Sequence, residues 1–427
     1  MFLRATLRRN PKLVEAAFRF HQAGVIPPNT YVIDLDAVSA NAGVIKKASN
    51  EAGLSLYAMT KQFGRNPLVM GEIARRGIPK AVAVDTEEAK VLARHRIEIG
   101  HVGHLVQVPT IEVRRVLEMR PEVLTVFSVA KARQVSIACQ ELGLHQDLLL
   151  RVRSVGDFFY PAQEGGVDES ELLDAAVEIQ RLPGVRLVGV TSHPCLLYDY
   201  QKNRVRPTPN LPTIVRAGKT LQDKLGLAIL QINAPGLSTA STFAMLAEAG
   251  ATHAEPGSSF TGHTPLHAYR DEPELPAMVY VTEVSHLLEE RVFVFGGGFY
   301  RRGRVKEALV GSTFDDLMKT VLPARPVVPE NIDYTGELQL LPGTSVAVGD
   351  TVIYAFRAQV FVGNATVAVV AGVQKGTPAL MGLFNHLGNP LDSEGYPFGK
   401  EAIPGLLGKW ESERCGGNGQ ARSASDY

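Results

Sequence analysis

Cysteine is scarce: Cys139, Cys195 and Cys415 are the only three in 427 residues. They are too few and too far apart for a disulfide framework or a zinc cluster. No apolar run reaches the roughly 20 residues needed to span a membrane, because charges, prolines or glycines interrupt each one. Net charge is absent too, with 44 Lys+Arg against 44 Asp+Glu. No overall field therefore draws the chain to nucleic acid or to an anionic membrane. The start, Met1-Phe-Leu-Arg-Ala-Thr-Leu-Arg-Arg9, is basic with no apolar stretch behind it, so no secretory signal is expected and the cytoplasm is the expected compartment. With 45% hydrophobic and 21% charged residues, the composition is that of a soluble enzyme with room for a barrel and a second domain.

What is present is an alternation. Residues 11–24 read as an amphipathic helix that opens on Pro11 and closes on Gly24. Tyr31–Leu35 reads as a strand, and Asp36–Ala52 as a helix ended by Gly53. From Leu54 onward strand-like runs recur at 54–61, 81–85, 101–108, 123–129, 148–153, 187–193, 227–234 and 251–255, separated by helical segments. Eight strands with helices between them predict an α/β fold, a (β/α)8 TIM barrel. An open doubly wound sheet would more often carry a glycine-rich turn after its first strand, and none occurs. From Pro276 to about Val373 short strands take over, at 278–284, 291–295, 345–348, 351–355, 359–362 and 366–371, which predicts a C-terminal mostly-β domain. The tail after Trp410 has no apolar periodicity and is expected to lack regular structure.

Several polar residues fall at predicted strand ends, the ligand face of such a barrel. Lys61 closes the first strand, just before Gly64 and Pro67. A lysine there is costly to desolvate unless it has a task such as imine formation with an aldehyde. His193 closes the sixth strand and Glu255 the eighth, and Gly257, Ser258 and Ser259 follow as a turn whose N–H groups and hydroxyls suit a phosphate. Arg151 lies on the fifth strand. His101 and His104 stand three apart on the third run, so they are expected on opposite faces and no metal site is predicted from them.

These residues resemble the fold-type III pyridoxal-phosphate enzymes, the group of alanine racemase and the ornithine and diaminopimelate decarboxylases, over about residues 28–375. Tyr31-Val-Ile-Asp-Leu-Asp-Ala-Val-Ser-Ala-Asn41 resembles the family's entry segment, Val190-Thr-Ser-His193 its ring-stacking strand, and Ala254-Glu-Pro-Gly257 the decarboxylases' Glu-Pro-Gly motif. Ala58-Met-Thr-Lys-Gln-Phe-Gly64 with Gly296-Gly-Gly-Phe-Tyr-Arg-Arg-Gly303 is similar to the YhfX-type alanine-racemase-like proteins. The resemblance implies pyridoxal 5'-phosphate as cofactor and Lys61 as the Schiff-base lysine. It also implies His193 stacked on the pyridine ring and Glu255 paired with the ring nitrogen. The Gly257-Ser258-Ser259 turn would then hold the phosphate, and Arg151 would reach the phenolic oxygen. The domains expected on this basis are a helical extension at 1–27, a cofactor-binding barrel at 28–270, a β domain at 271–400 that the strand at 31–35 can join, and a flexible tail at 401–427.

Within that group the chain departs from both named types. Alanine racemases place an arginine where Glu255 stands, so the glutamate leans toward decarboxylases. Those decarboxylases carry a Gly-Pro-x-Cys-Asp/Glu segment in the β domain, and no such segment occurs here. An amino-acid racemase or epimerase is the expectation, with a decarboxylase as alternative. Its second acid/base, by the resemblance, is a tyrosine from the partner subunit's β domain. Of Tyr280, Tyr300, Tyr334 and Tyr354, Tyr300 is chosen because the glycines before it allow close backbone approach to a ligand. A homodimer with composite sites acting on a small amino acid follows. Two readings of other classes are a non-catalytic cofactor-handling protein and a metal-dependent lyase built on His193, Glu255 and His253.

Overall fold

The computed structural model describes residues 1–296, 303–328, 330–331, 334–357, 365–398, 405–406 and 408. Two compact units emerge: Gly43–Thr60 with Ile73–Gly257, and Met1–Ala42 with Lys61–Glu72 and Ser258–Tyr427.

The first unit contains a closed parallel barrel. Its strands are β1 (Ser55–Leu56 and Ala58–Met59, interrupted at Tyr57), β2 (Lys80–Ala83), β3 (Glu98–Val102), β4 (Val123–Val126), β5 (Gln146–Arg153), β6 (Val185–Thr191), β7 (Gln231–Asn233) and β8 (His253–Ala254). Neighbours in sequence are neighbours in the ring. The first half of β1 pairs with β8 (Ser55 opposite His253) and its second half with β2 (Met59 opposite Val82), which closes the sheet. The eight predicted strands are therefore present, as an α/β barrel. Strands buried on both faces read as continuous apolar runs, and Leu148, Leu149 and Leu150 of β5 are all fully buried.

Local chemistry sets the helix ends. Asp85 accepts a hydrogen bond from the N–H of Glu88 at 2.8 Å, and Ser128 accepts one from Lys131 at 3.2 Å. Gly143 and Gly226 end their helices in the left-handed region at φ 62° and 63°.

Inside the barrel two glycines are required by contact. Opposite Gln231 in the β6–β7 register, Gly189 would bring a Cβ within 2.1 Å of the Gln231 carbonyl oxygen. At Gly100 on β3, a Cβ would lie 2.2 Å from Cδ1 of Tyr57. The Tyr57 hydroxyl accepts a 2.8 Å hydrogen bond from Gln231 Nε2.

The second unit is built on a mostly antiparallel sheet. Thr30–Asp34 lies between Met278–Leu288, antiparallel to it, and Thr366–Ala371, parallel to it. The sheet's main path runs Val321–Pro323, Glu307–Gly311, Thr351–Tyr354, Met278–Leu288, Thr30–Asp34, Thr366–Ala371, Ala379–Asn385, Pro390–Leu391. Helices Phe2–Arg9 and Pro11–Gln22 bury Phe2, Leu3, Leu13, Val14, Ala17 and Phe18 against Val32, Val279, Val281 and Val370. The C-terminal β domain is thus as expected in class, with differences in detail. Residues 345–348 form no strand: Asp350 takes the Ala347 N–H at 2.8 Å and Gly349 turns at φ 93°, so the chain bends there. The expected strand at 359–362 and the tail after Trp410 lie outside the described residues.

Gly189 yields a stability test. Gly189→Val should lower the urea-unfolding free energy by about 2–3 kcal/mol or more, because the added carbons meet backbone rather than a movable side chain. Gly43→Ala, with nothing within 4 Å of its Cβ on the helix Leu35–Glu51, should gain about 0.5–1 kcal/mol. Equal effects from the two changes would show that the β6–β7 contact is not rigid.

Candidate active site

The barrel's polar centre is built around Glu255, one residue beyond β8, whose side chain has no exposed surface. Its Oε1 lies 2.6 Å from His101 Nδ1 and accepts a 2.9 Å hydrogen bond from Asn233 Nδ2 at the end of β7. His101 Nε2 in turn lies 2.5 Å from the Thr125 hydroxyl on β4. His104 Nδ1 stands 3.3 Å from the other oxygen, Oε2. Four elements around the ring thereby converge on one carboxylate.

The joint presence of His101 and His104 corrects the expectation that they face opposite ways. The strand ends at Val102, and Gly103 takes φ +83°, which turns the chain and brings the second imidazole back to the carboxylate. The one sequence signal for this was the glycine between them. Ligand atoms of His101, His104 and Glu255 all lie within 4.8 Å of one another. The 2.6 Å separation of His101 Nδ1 from Oε1 is nevertheless that of a shared proton. Two ligands of one tetrahedral zinc stand about 3.4 Å apart.

His193 lies two residues past β6, its ring 5.1 Å from that of His104 and 6.0 Å from that of Tyr160. Arg151, on β5, is fully buried. It donates to the carbonyl oxygens of His104 (3.1 Å) and Gln163 (2.6 Å) and lies over the Phe127 ring at 4.6 Å. Burial pushes its pKa down to about 10. The barrel therefore brings together Glu255, Arg151, His193 and two histidines that strand periodicity places apart.

Gly257 ends the barrel unit, and the other predicted residues belong to the second unit. Lys61 is half-buried in the short turn Thr60–Phe63, two residues after β1. Next to it, Gln62 Oε1 accepts a hydrogen bond from the Ser258 N–H, so that member of the expected phosphate turn is already engaged. Ser259 is fully buried and its hydroxyl has no hydrogen-bond partner among the described residues. Among the tyrosines, Tyr280 donates to Asn29 Oδ1 at 2.6 Å, Tyr354 is fully buried, and Tyr334 is exposed. Tyr300 lies outside the described residues.

Comparison with known proteins decides the family. The model of the alanine racemase N-terminal domain matches residues 33–265, and that of the YhfX-like C-terminal domain matches residues 279–380. The chain belongs to the alanine racemase family, YhfX type. It is 40% identical to the uncharacterized protein YhfX of Escherichia coli (strain K12) over 391 residues, 92% of this chain and all of that one. Solved structures with the same fold include an alanine racemase of Clostridium difficile 630 in complex with cycloserine (TM-score 0.59, 16% identity, 85% of this chain and 99% of that one). A D-threonine aldolase from Filomicrobium marinum (0.64, 15%, 85% and 95%) and a D-threo-3-hydroxyaspartate dehydratase from Delftia sp. HT23 (0.61, 16%, 84% and 97%) share it too.

The cofactor of this family is pyridoxal 5'-phosphate, and the residues present fit it. Within the barrel unit, Glu255 Oε2, Thr60 Oγ1 and Thr191 Oγ1 are buried with no hydrogen-bond partner among the described residues. Such groups are costly to leave unmatched, and they suit a ligand that brings donors and acceptors of its own. Among the described residues no helix is long and apolar enough to cross a membrane.

His253, on β8 with its ring 5.5 Å from that of Tyr57, gives the barrel an acid sensitivity. Burial pushes its pKa down to about 4, so the unfolded chain, with histidine near 6.5, binds the extra proton first. Stability contributed at neutral pH should fall as pH drops from about 6.5 to 4, by on the order of 3 kcal/mol. Urea midpoints across that range should decline less steeply in His253→Gln. An identical slope in the variant would assign the acid sensitivity to other groups.

Proposed function

We propose that the protein is a pyridoxal-phosphate-dependent amino-acid racemase or epimerase acting at Cα. The observation that carries the reading is the buried Glu255 carboxylate at the end of β8, held on one oxygen by His101 and Asn233. A carboxylate placed there can pair with a protonated ring nitrogen, and the cofactor when bound then supplies an electron sink for negative charge at Cα. His193 would pack against the ring. Lys61 would anchor the cofactor aldehyde and, as a free amine, would hold and return the Cα proton on one face. The Gly257-Ser258-Ser259 turn would hold the phosphate through groups other than the engaged Ser258 N–H, and Arg151 would reach the phenolic oxygen.

The racemase is favoured over the decarboxylase by a missing group. The chain's cysteines are Cys139, Cys195 and Cys415, so the β domain has none to serve as the decarboxylases' proton donor. A β domain in the same chain favours catalysis over mere cofactor storage, since a second acid/base can come from it. In this reading Tyr300 of a second copy faces Cα opposite Lys61, and the working unit is a cytoplasmic homodimer with shared sites.

Lys61→Ala should lose the visible absorbance of the lysine-bound cofactor and all turnover. Borohydride reduction of the wild type, followed by peptide mass spectrometry, should place the cofactor on Lys61. Label on another lysine would sink the assignment. In deuterated solvent, the active amino acid in a panel should take up deuterium at Cα and yield both configurations. Carbon dioxide release with no Cα inversion would make it a decarboxylase instead.

Subunit sharing has its own test. Mixing inactive Lys61→Ala with inactive Tyr300→Phe should restore about a quarter of the sites at random pairing, since one site in each mixed dimer is wild type. No recovery after verified exchange would refute the shared site or Tyr300's place in it, and activity of Tyr300→Phe alone tells which.

A further inference from the structure

The hydrogen bonds to Glu255 are unevenly distributed. A carboxylate offers about four lone-pair sites over two oxygens. Here both close partners, His101 Nδ1 at 2.6 Å and Asn233 Nδ2 at 2.9 Å, meet Oε1. Oε2 is buried and accepts no hydrogen bond among the described residues, with His104 Nδ1 at 3.3 Å. A purely structural clamp would satisfy both oxygens, because an unmatched buried acceptor is costly. The pattern instead fixes one oxygen and keeps the other for a further donor.

Behind the carboxylate the chain of contacts continues. His101 Nε2 lies 2.5 Å from Thr125 Oγ1, and His101 and Thr125 are both fully buried. A hydroxyl that donates to Nε2 leaves the imidazole's single proton on Nδ1, where it points at Glu255. A neutral histidine in that form is a donor and cannot take the carboxylate's proton in exchange. The reverse arrangement, Nε2–H to threonine with a protonated Glu255 donating to Nδ1, would place a hydroxyl and the Asn233 amide on the same oxygen.

We infer that His101, oriented by Thr125, is a positioning residue that keeps Glu255 ionised and turns Oε2 toward the ligand. The inference rests on the reading of Glu255 as the ring-nitrogen partner, and it extends that reading to residues on β3 and β4. Neither His101 nor Thr125 touches the reacting atoms. They set the charge and aim of the group that does.

The experiment has one arm without cofactor and one with it. In protein labelled with 15N-histidine and freed of cofactor, the His101 signal, assigned by its loss in His101→Asn, should show a neutral ring with its proton on Nδ1. A proton on Nε2 overturns the inference, as does a stoichiometric zinc that stays with the purified protein and is lost in His101→Asn. Thr125→Val, close in volume, should yield a mixture of both neutral forms, and an unchanged Nδ1–H form would remove threonine's role. With 15N-labelled pyridoxal phosphate bound, the ring nitrogen should be protonated in the wild type and in His101→Asn, whose amide N–H replaces Nδ1–H. It should lose that proton in His101→Leu. Retained protonation in the leucine variant overturns the inference. An unprotonated ring nitrogen in the wild type, with the Nδ1–H form intact, instead refutes the role given to Glu255 and leaves the relay standing.

Discussion

A carboxylate with no exposed surface has to be matched by donors, and at Glu255 that requirement organises the middle of the barrel. Ionised carboxylates taken out of water cost several kcal/mol even after relaxation. The compensation comes from His101 at β3 and Asn233 at β7, with Thr125 of β4 behind the histidine. No local segment could assemble such a set, because its members are up to 154 residues apart in the chain. Only a closed ring of parallel strands brings the ends of β3, β4, β7 and β8 to the same place.

Closure in turn depends on the first strand. Tyr57 interrupts β1, yet its N–H still donates to Ala254 at 3.1 Å, and the Met59 N–H reaches Pro256 at 2.8 Å. The strand can therefore pair with β8 in its first half and β2 in its second. The tyrosine ring fills space that Gly100 leaves open, and Gly189 permits the close approach of β7. Packing at the strands' interior and the polar centre at their ends are linked, since a shift of β7 or β8 would move Asn233 or Glu255 directly.

Fold alone does not choose the reaction. The solved structures with this architecture include a racemase, an aldolase and a dehydratase. One scaffold hosts all three, so the reaction is set by the groups placed in the site. In this chain the distinguishing features are a glutamate rather than an arginine after β8 and a β domain without cysteine.

The sequence by itself determined the eight strands and their order, because strands buried on both faces must be written as apolar runs broken by helix signals. It also marked Lys61, His193 and Glu255, since costly polar groups at strand ends stand out against that background. Tertiary structure decided what surrounds them. His101 and His104 were read as opposed because strand periodicity was extended past Val102, where Gly103 redirects the chain. Residues 345–348 were read as a strand from their alternation, but Asp350 and Gly349 bend them into a turn. Strands Glu307–Gly311 and Ala379–Asn385 are not expected from the sequence, although each has an antiparallel partner close by in the chain, Val321–Pro323 and Thr366–Ala371. Which oxygen of Glu255 is held, and by which strands, has no trace in local spacing at all: it follows from how the barrel closes.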